Sequence, residues 1–100
     1  MIRGTTPTLE FELPFEVSAL KSAFVTLSQA GQIIVNRELT ECSCDTKILE
    51  VKLTQKETLA FTTDDPIQIQ IRVLDRSGNA LASEIWTDYA EDVLYEGILI

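Results

Sequence analysis

The sequence predicts an all-β domain, a β-sandwich of seven or eight short antiparallel strands, and three observations lead to it. Ile67, Ile69, Ile71 and Val73 alternate with Gln68, Gln70 and Arg72, the period-two pattern of a strand that buries one face. The run breaks at Asp75-Arg76-Ser77-Gly78 and an extended stretch returns through Ala80, Ala82 and Ser83, so the segment reads as a β-hairpin. Gly78 supplies the positive φ that a type I turn followed by a bulge needs. Similar strand-like runs, separated by turn residues, recur along the chain, which is the spacing of a sandwich; a small barrel is the second choice. No repeat, linker or low-complexity stretch interrupts them, so residues 1–100 read as one domain.

In chain order, Thr5-Thr6-Pro7 is extended because Pro7 fixes its own φ and biases Thr6 away from the helical region. Leu9, Phe11 and Leu13 then alternate with carboxylates, and Pro14 cannot donate to a ladder, so this first strand is an edge strand or ends there. Phe15 to Ala19 has room for one helical turn. Lys21 to Ser28 is a strand, Gln29-Ala30-Gly31 a turn, and Gln32 to Glu38 the returning strand. The consecutive Ile33, Ile34 and Val35 imply either burial on both faces or a bulge, which periodicity alone leaves open. Thr40 to Thr46 reads as loop or short edge strand, and Ile48 to Leu53 as strand. Thr54 and Glu57 have capping-box spacing, which predicts one short helical turn over Thr54–Leu59, with Leu59 and Phe61 pinning it to the core. Such a crossing between sheets is common in Greek-key sandwiches. Beyond the hairpin, Ile85, Trp86 and Tyr89 continue the extended pattern. Asp88 to Asp92 is irregular or one helical turn, and Val93 to Ile100 reads as a last strand interrupted at Gly97.

One hundred residues, 45% of them hydrophobic, make a chain able to bury about two-thirds of its unfolded surface without a disulfide or metal staple. No apolar run approaches the roughly 20 residues of a membrane span, and MIRGTTPTLEF lacks the apolar centre of a secretory signal. A protein made and kept in the cytosol is the expectation. Sixteen acidic residues against eight basic give a net charge of −8. That opposes nucleic acid as a partner, since affinity for phosphates comes from Lys and Arg, and it opposes anionic membrane surfaces for the same reason.

Chemistry is scarce. There is no histidine, hence no Ser-His or Cys-His nucleophile pair, and four scattered glycines form no phosphate loop. Cys42-Ser43-Cys44 could hold a soft metal, but zinc takes four ligands, usually at wider spacing. As a strand the two Cα atoms would stand about 6.6 Å apart, poorly aimed for a disulfide. Two reduced, partly buried thiols at a strand end are the favoured reading. Glu41 with Asp45, Asp64 with Asp65, and Asp88, Glu91 and Asp92 match no EF-hand loop and read as solvated acids. No catalytic, cofactor-binding or metal-binding residue is assigned. The candidates for touching another chain are Trp86 and the apolar tail Ile98, Leu99 and Ile100. Trp86 could instead cap the core and the tail pair as an edge strand; an uncovered edge would admit a neighbouring subunit by strand addition.

RGTTPTLEFELPF, VKLTQKETLAF and IQIQIRVLDRSGNALAS together resemble small proteins of the tail and structural modules of phages and prophages of Gram-positive bacteria. They are similar, more loosely, to the immunoglobulin-like N-terminal domain of phage baseplate upper proteins, though the helical or receptor-binding part of such a protein does not follow here. The resemblance implies an immunoglobulin-like sandwich, synthesis in a bacterial cytoplasm and incorporation into a virion. It also implies a non-enzymatic structural or assembly role through contacts with other protein chains, self-association included. The alternative is a small-ligand or carbohydrate-binding module that uses the loops at Thr40–Thr46 and Arg76–Asn79 and the rings of Trp86, Tyr89 and Tyr95.

Overall fold

A computed structural model describes residues 1–100. The chain forms eight strands in two antiparallel sheets, with one short helix between them. The strands are β1 (Thr8–Glu12), β2 (Leu20–Gln29), β3 (Gln32–Glu38), β4 (Ser43–Asp45), β5 (Ile48–Lys52), β6 (Ile67–Asp75), β7 (Ala80–Ala82) and β8 (Trp86–Asp88). The smaller sheet has the order β1-β5-β4; the larger runs β3-β2-β6-β7, and β8 also pairs with β6. The expected sandwich is therefore present.

The alternation in β6 does what its period demands. Ile67, Ile69, Ile71 and Val73 are buried, while Gln68 and Arg72 are exposed. From the other side of the core, Leu49 and Val51 of β5 and Leu53 just beyond it meet Val25, Leu27 and Val35, with Phe61 fully enclosed among them. The Ile33-Ile34-Val35 run resolves as a bulge: Leu27 pairs with Val35 and Ser28 with Ile33, so Ile34 is the extra residue. Val35 is buried and Ile33 exposed, so the run is not buried on both faces. The β2–β3 connection is a two-residue turn in which Ala30 and Gly31 both have positive φ, +51° and +79°. That is the type I′ geometry whose twist suits a tight hairpin. Gly78 likewise sits at φ +90° in the β6–β7 turn.

The helix α1 (Gln55–Leu59) has Thr54 as its N-cap. The Thr54 hydroxyl accepts from the Glu57 N–H, and the Glu57 carboxylate accepts from the Thr54 N–H, completing the box. Two 3₁₀ turns accompany α1: Val17–Ala19 falls in the connection that had room for one helical turn, and Leu39–Glu41 lies where loop or strand was expected. Thr40–Thr46 divides between the second of these and β4.

The last expected strand is not formed. Val93–Ile100 lies outside both sheets. Its backbone is held by a side chain instead: the Gln55 amide donates to the Leu99 carbonyl at 3.0 Å and accepts from the Leu99 N–H at 2.8 Å.

Candidate protein-contact site

The two sheets differ in width, and that mismatch makes the site. The inward side of the larger sheet at β7 and β8 extends beyond the cover that β1 provides, leaving an apolar groove of about 340 Å³. Ile71 and Val73 contribute apolar wall from β6, Leu13, Pro14 and Phe15 from the chain leaving β1, and Leu81 and Trp86 from β7 and β8. Leu81 stands opposite Val73 and Trp86 opposite Ile69, so each points to the same side as a buried partner. Yet Leu81 remains 48% exposed and Trp86 36%. The Trp86 ring stacks on Phe11 of β1, centroids 5.6 Å apart and planes 28° from parallel, and so spans the two sheets at their open side.

A bulge aims Trp86. Between the pairs Arg72↔Ala82 and Ile69↔Trp86, β6 advances three residues and the opposite chain four. Gln70 therefore faces two residues, Glu84 and Ile85. Were all of these residues to alternate strictly from Leu81, with no bulge, Ile85 would turn inward and Trp86 out. Ser83 stabilises the irregularity: its N–H donates to the Ile71 carbonyl, its hydroxyl accepts from the Ile71 N–H, and the Gln70 amide donates to its carbonyl. β7 and β8 thus act as one bent edge strand, and β1 is the facing edge of the other sheet.

The structure does not bring Trp86 together with the tail residues. Ile98 rests beside Thr6, Lys52, Thr54 and Lys56 at the α1 end, whereas Leu99 and Ile100 project into solvent with Leu94. Tyr89 and Tyr95 are exposed but line neither of the two hollows that Trp86 borders. The site residues missed in the sequence are Leu13, Pro14, Phe15 and Leu81. The Ala80-Leu81-Ala82 alternation carries Leu81's inward direction, but nothing local tells that its cover is missing.

Cys42 and Cys44 are both free thiols, Cys42 half-buried and Cys44 exposed, so partial burial holds for the first only. Burial, then the neighbouring Cys44, pushes the Cys42 thiol up, away from reactive thiolate character. The acids are scattered or engaged in structure. Asp92 and Glu96 bind Arg3 at 2.9 and 2.7 Å, and the Val93 N–H first, then Arg3, holds the Asp92 carboxyl below its usual range. Asp75 accepts from the N–H groups of Ser77 and Asn79 inside its own turn. No three Cys, Asp or Glu side chains are grouped to hold a metal ion. No helix is long and apolar enough to cross a membrane. In comparisons with protein-family models, curated proteins and solved structures, nothing matches this chain.

Proposed function

We propose that this domain is a non-enzymatic structural or assembly module of a phage or prophage virion, of the tail or baseplate type, and that it works through contact with other protein chains. The resemblance of its opening, its α1 segment and its β6–β7 hairpin to such proteins gives the setting. The observation that carries the contact role is the apolar groove between two sheet edges, walled by Leu13, Phe15, Leu81 and Trp86. An aromatic anchor in an apolar hollow with a polar rim is the make-up of an interface centre. The groove has an apolar lining and Glu12 as its one charged residue, which suits an apolar segment of a partner better than a polar metabolite. A sugar would need rings to stack on, and Trp86 is the groove's only exposed aromatic handle beside Phe15.

The test is pairwise binding of the purified domain to the products of the neighbouring structural genes, with wild type and Leu81→Glu side by side. One product should bind wild type and lose at least tenfold in affinity to Leu81→Glu, which places a desolvated charge in the groove. If none of those products binds, or if the variant binds as wild type does, the reading fails. A glycan array with hits lost on Trp86→Ala would install the carbohydrate-binding module in its place.

A further inference from the structure

The two outer faces of the sandwich differ in charge. On the smaller sheet Glu10 stands directly opposite Glu50, with Glu12 on the next turn of the pleat, so that face is acidic. The larger sheet is the reverse. No carboxylate occurs in 22–28, 32–36, 67–74, 80–82 or 86–87, and Arg72 is the only charged residue in those stretches. Its outward positions carry Phe24, Thr26, Asn36, Arg72 and Leu74 around a shallow concavity of about 490 Å³, with Ile33 and Ala80 beside it. Phe24 is 40% exposed and Ile33 65%. Two acids face this way, both at its margins: Glu38, opposite Phe24 at the end of an edge strand, and Glu84, opposite Gln70 in the bulge. In a chain of net charge −8, fourteen of sixteen carboxylates lie off this face.

We propose that this outer face of the larger sheet is a self-association surface, occupied by the same face of a second copy. Three observations support that occupant. Interface centres are depleted of charge and enriched in aromatic residues and Arg, which is the composition found here. Charge favours this pairing over the acidic one: two copies meeting by their acidic faces would repel, whereas the centre of the face around Thr26 and Arg72 holds no carboxylate and Glu38 and Glu84 lie at its edges. Area is sufficient. Four strands lie side by side, β7 and β8 sharing one edge. At about 4.8 Å per strand and roughly seven residues of 3.3 Å each, the face offers on the order of 450 Å² per copy, or about 1,000 Å² in total with side-chain relief. That is the lower end for a specific interface, so a weak, concentration-dependent dimer with two-fold symmetry is expected. The Arg72 side chain makes no hydrogen bond or ion pair within its own chain, leaving its guanidinium donors for side-chain acceptors of the opposing copy.

The experiment is sedimentation velocity of the full chain at concentrations up to about 1 mM. Wild type should move from 11.2 kDa towards about 22 kDa, twice that mass. Arg72→Glu should stay monomeric with unchanged far-UV circular dichroism and melting temperature, because the wild-type side chain has no intramolecular partner to lose. Thr26→Glu, at the centre of the face, is the second variant and should behave the same way. Leu81→Glu lies on the other side of the sheet and should dimerise as wild type does, which separates this surface from the groove. A strictly monomeric wild type, dimers that survive Arg72→Glu and Thr26→Glu when both fold, or open-ended assembly that Glu10→Lys abolishes would each overturn the proposal. The last of these would mean that the Arg72 face stacks on the acidic face of the next copy.

Discussion

Four side chains show how single residues hold this fold, and only some announce themselves in the sequence. Gln29 is buried, yet its amide donates to the carbonyls of Thr62 and Asp65, both at 2.7 Å, and accepts from the Thr62 N–H at 2.8 Å. It ties the end of β2 to the crossing that leads into β6. Gln29→Ala should cost about 2–3 kcal/mol in urea unfolding, since it leaves buried backbone groups without partners. Thr58 is fully buried, accepts from the Gly4 N–H and donates to the Thr5 carbonyl, fastening the extended start of the chain to α1. In a list of residues both read as ordinary turn or surface positions; their partners lie 33 and 53 or more residues away, so no local pattern could name them. Glu57 was legible as a cap, but its second partner was not: Arg37 grips its carboxylate at 2.6 Å through both Nη atoms. That grip first, with the Thr54 N–H behind it, holds the Glu57 carboxyl below its usual range. The folded state then binds fewer protons than the unfolded chain. The contribution is full at neutral pH, above the unfolded carboxyl's value near 4.3, and is lost as pH falls through the lower folded value. Glu57→Gln should therefore cost about 1–2 kcal/mol at pH 7 and flatten the acid side of a stability–pH curve. Ala30 works in the opposite direction, because a Cβ at φ +51° is strained. Ala30→Asn, the residue a type I′ turn prefers, should raise stability by about 1 kcal/mol, read as a melting-temperature increase of about 4 °C or more.

At the level of elements, the strands follow their side-chain period and the irregularities follow the pairing. β6 and its hairpin were plain from the alternation of Ile and Gln and from Gly78. The bulge at Ile34 was one of two readings, decided only when Leu27 and Ser28 chose their partners. The bulge opposite Gln70 had no signal of its own, because Ser83-Glu84-Ile85 is compatible with straight extension. Deleting Glu84 should remove the bulge and leave Trp86 opposite Ile69, still on the inner side. Since Trp86 is the only tryptophan, its emission should then stay at the wild-type wavelength with the stacking on Phe11 kept, and a shift to the red would refute the bulge. The smaller sheet carries a removable penalty, as Glu10 and Glu50 face each other across β1 and β5. Glu10→Lys should stabilise by about 0.5 kcal/mol, with the gain shrinking as salt is added. The expected last strand is absent: Val93–Ile100 has the apolar content of a strand but pairs with neither sheet. The Gln55 amide offers one two-point pairing where a ladder would offer many.

For the molecule as a whole, the decisive quantity is the difference in width between two sheets that alternate in the chain. β1 belongs to the smaller, β2 and β3 to the larger, β4 and β5 to the smaller, and β6 to β8 to the larger again. Three strands cannot cover the inner side of a sheet four strands across, so Leu81 and Trp86 are left as the wall of a groove. The chain by itself determined the all-β class, the inward and outward sides of β6, the α1 cap, the tight turns and the absence of histidine chemistry. Each of these rests on neighbours within a few residues, where covalent geometry and side-chain period act directly. The partners of Gln29 and Thr58, the inward turn of Trp86, the exposed groove and the contrast between an acidic and a nearly uncharged face were decided by the tertiary structure. They arise from which strands lie side by side and how far one layer reaches over another. Those are sums over contacts distant in sequence, which no local periodicity encodes.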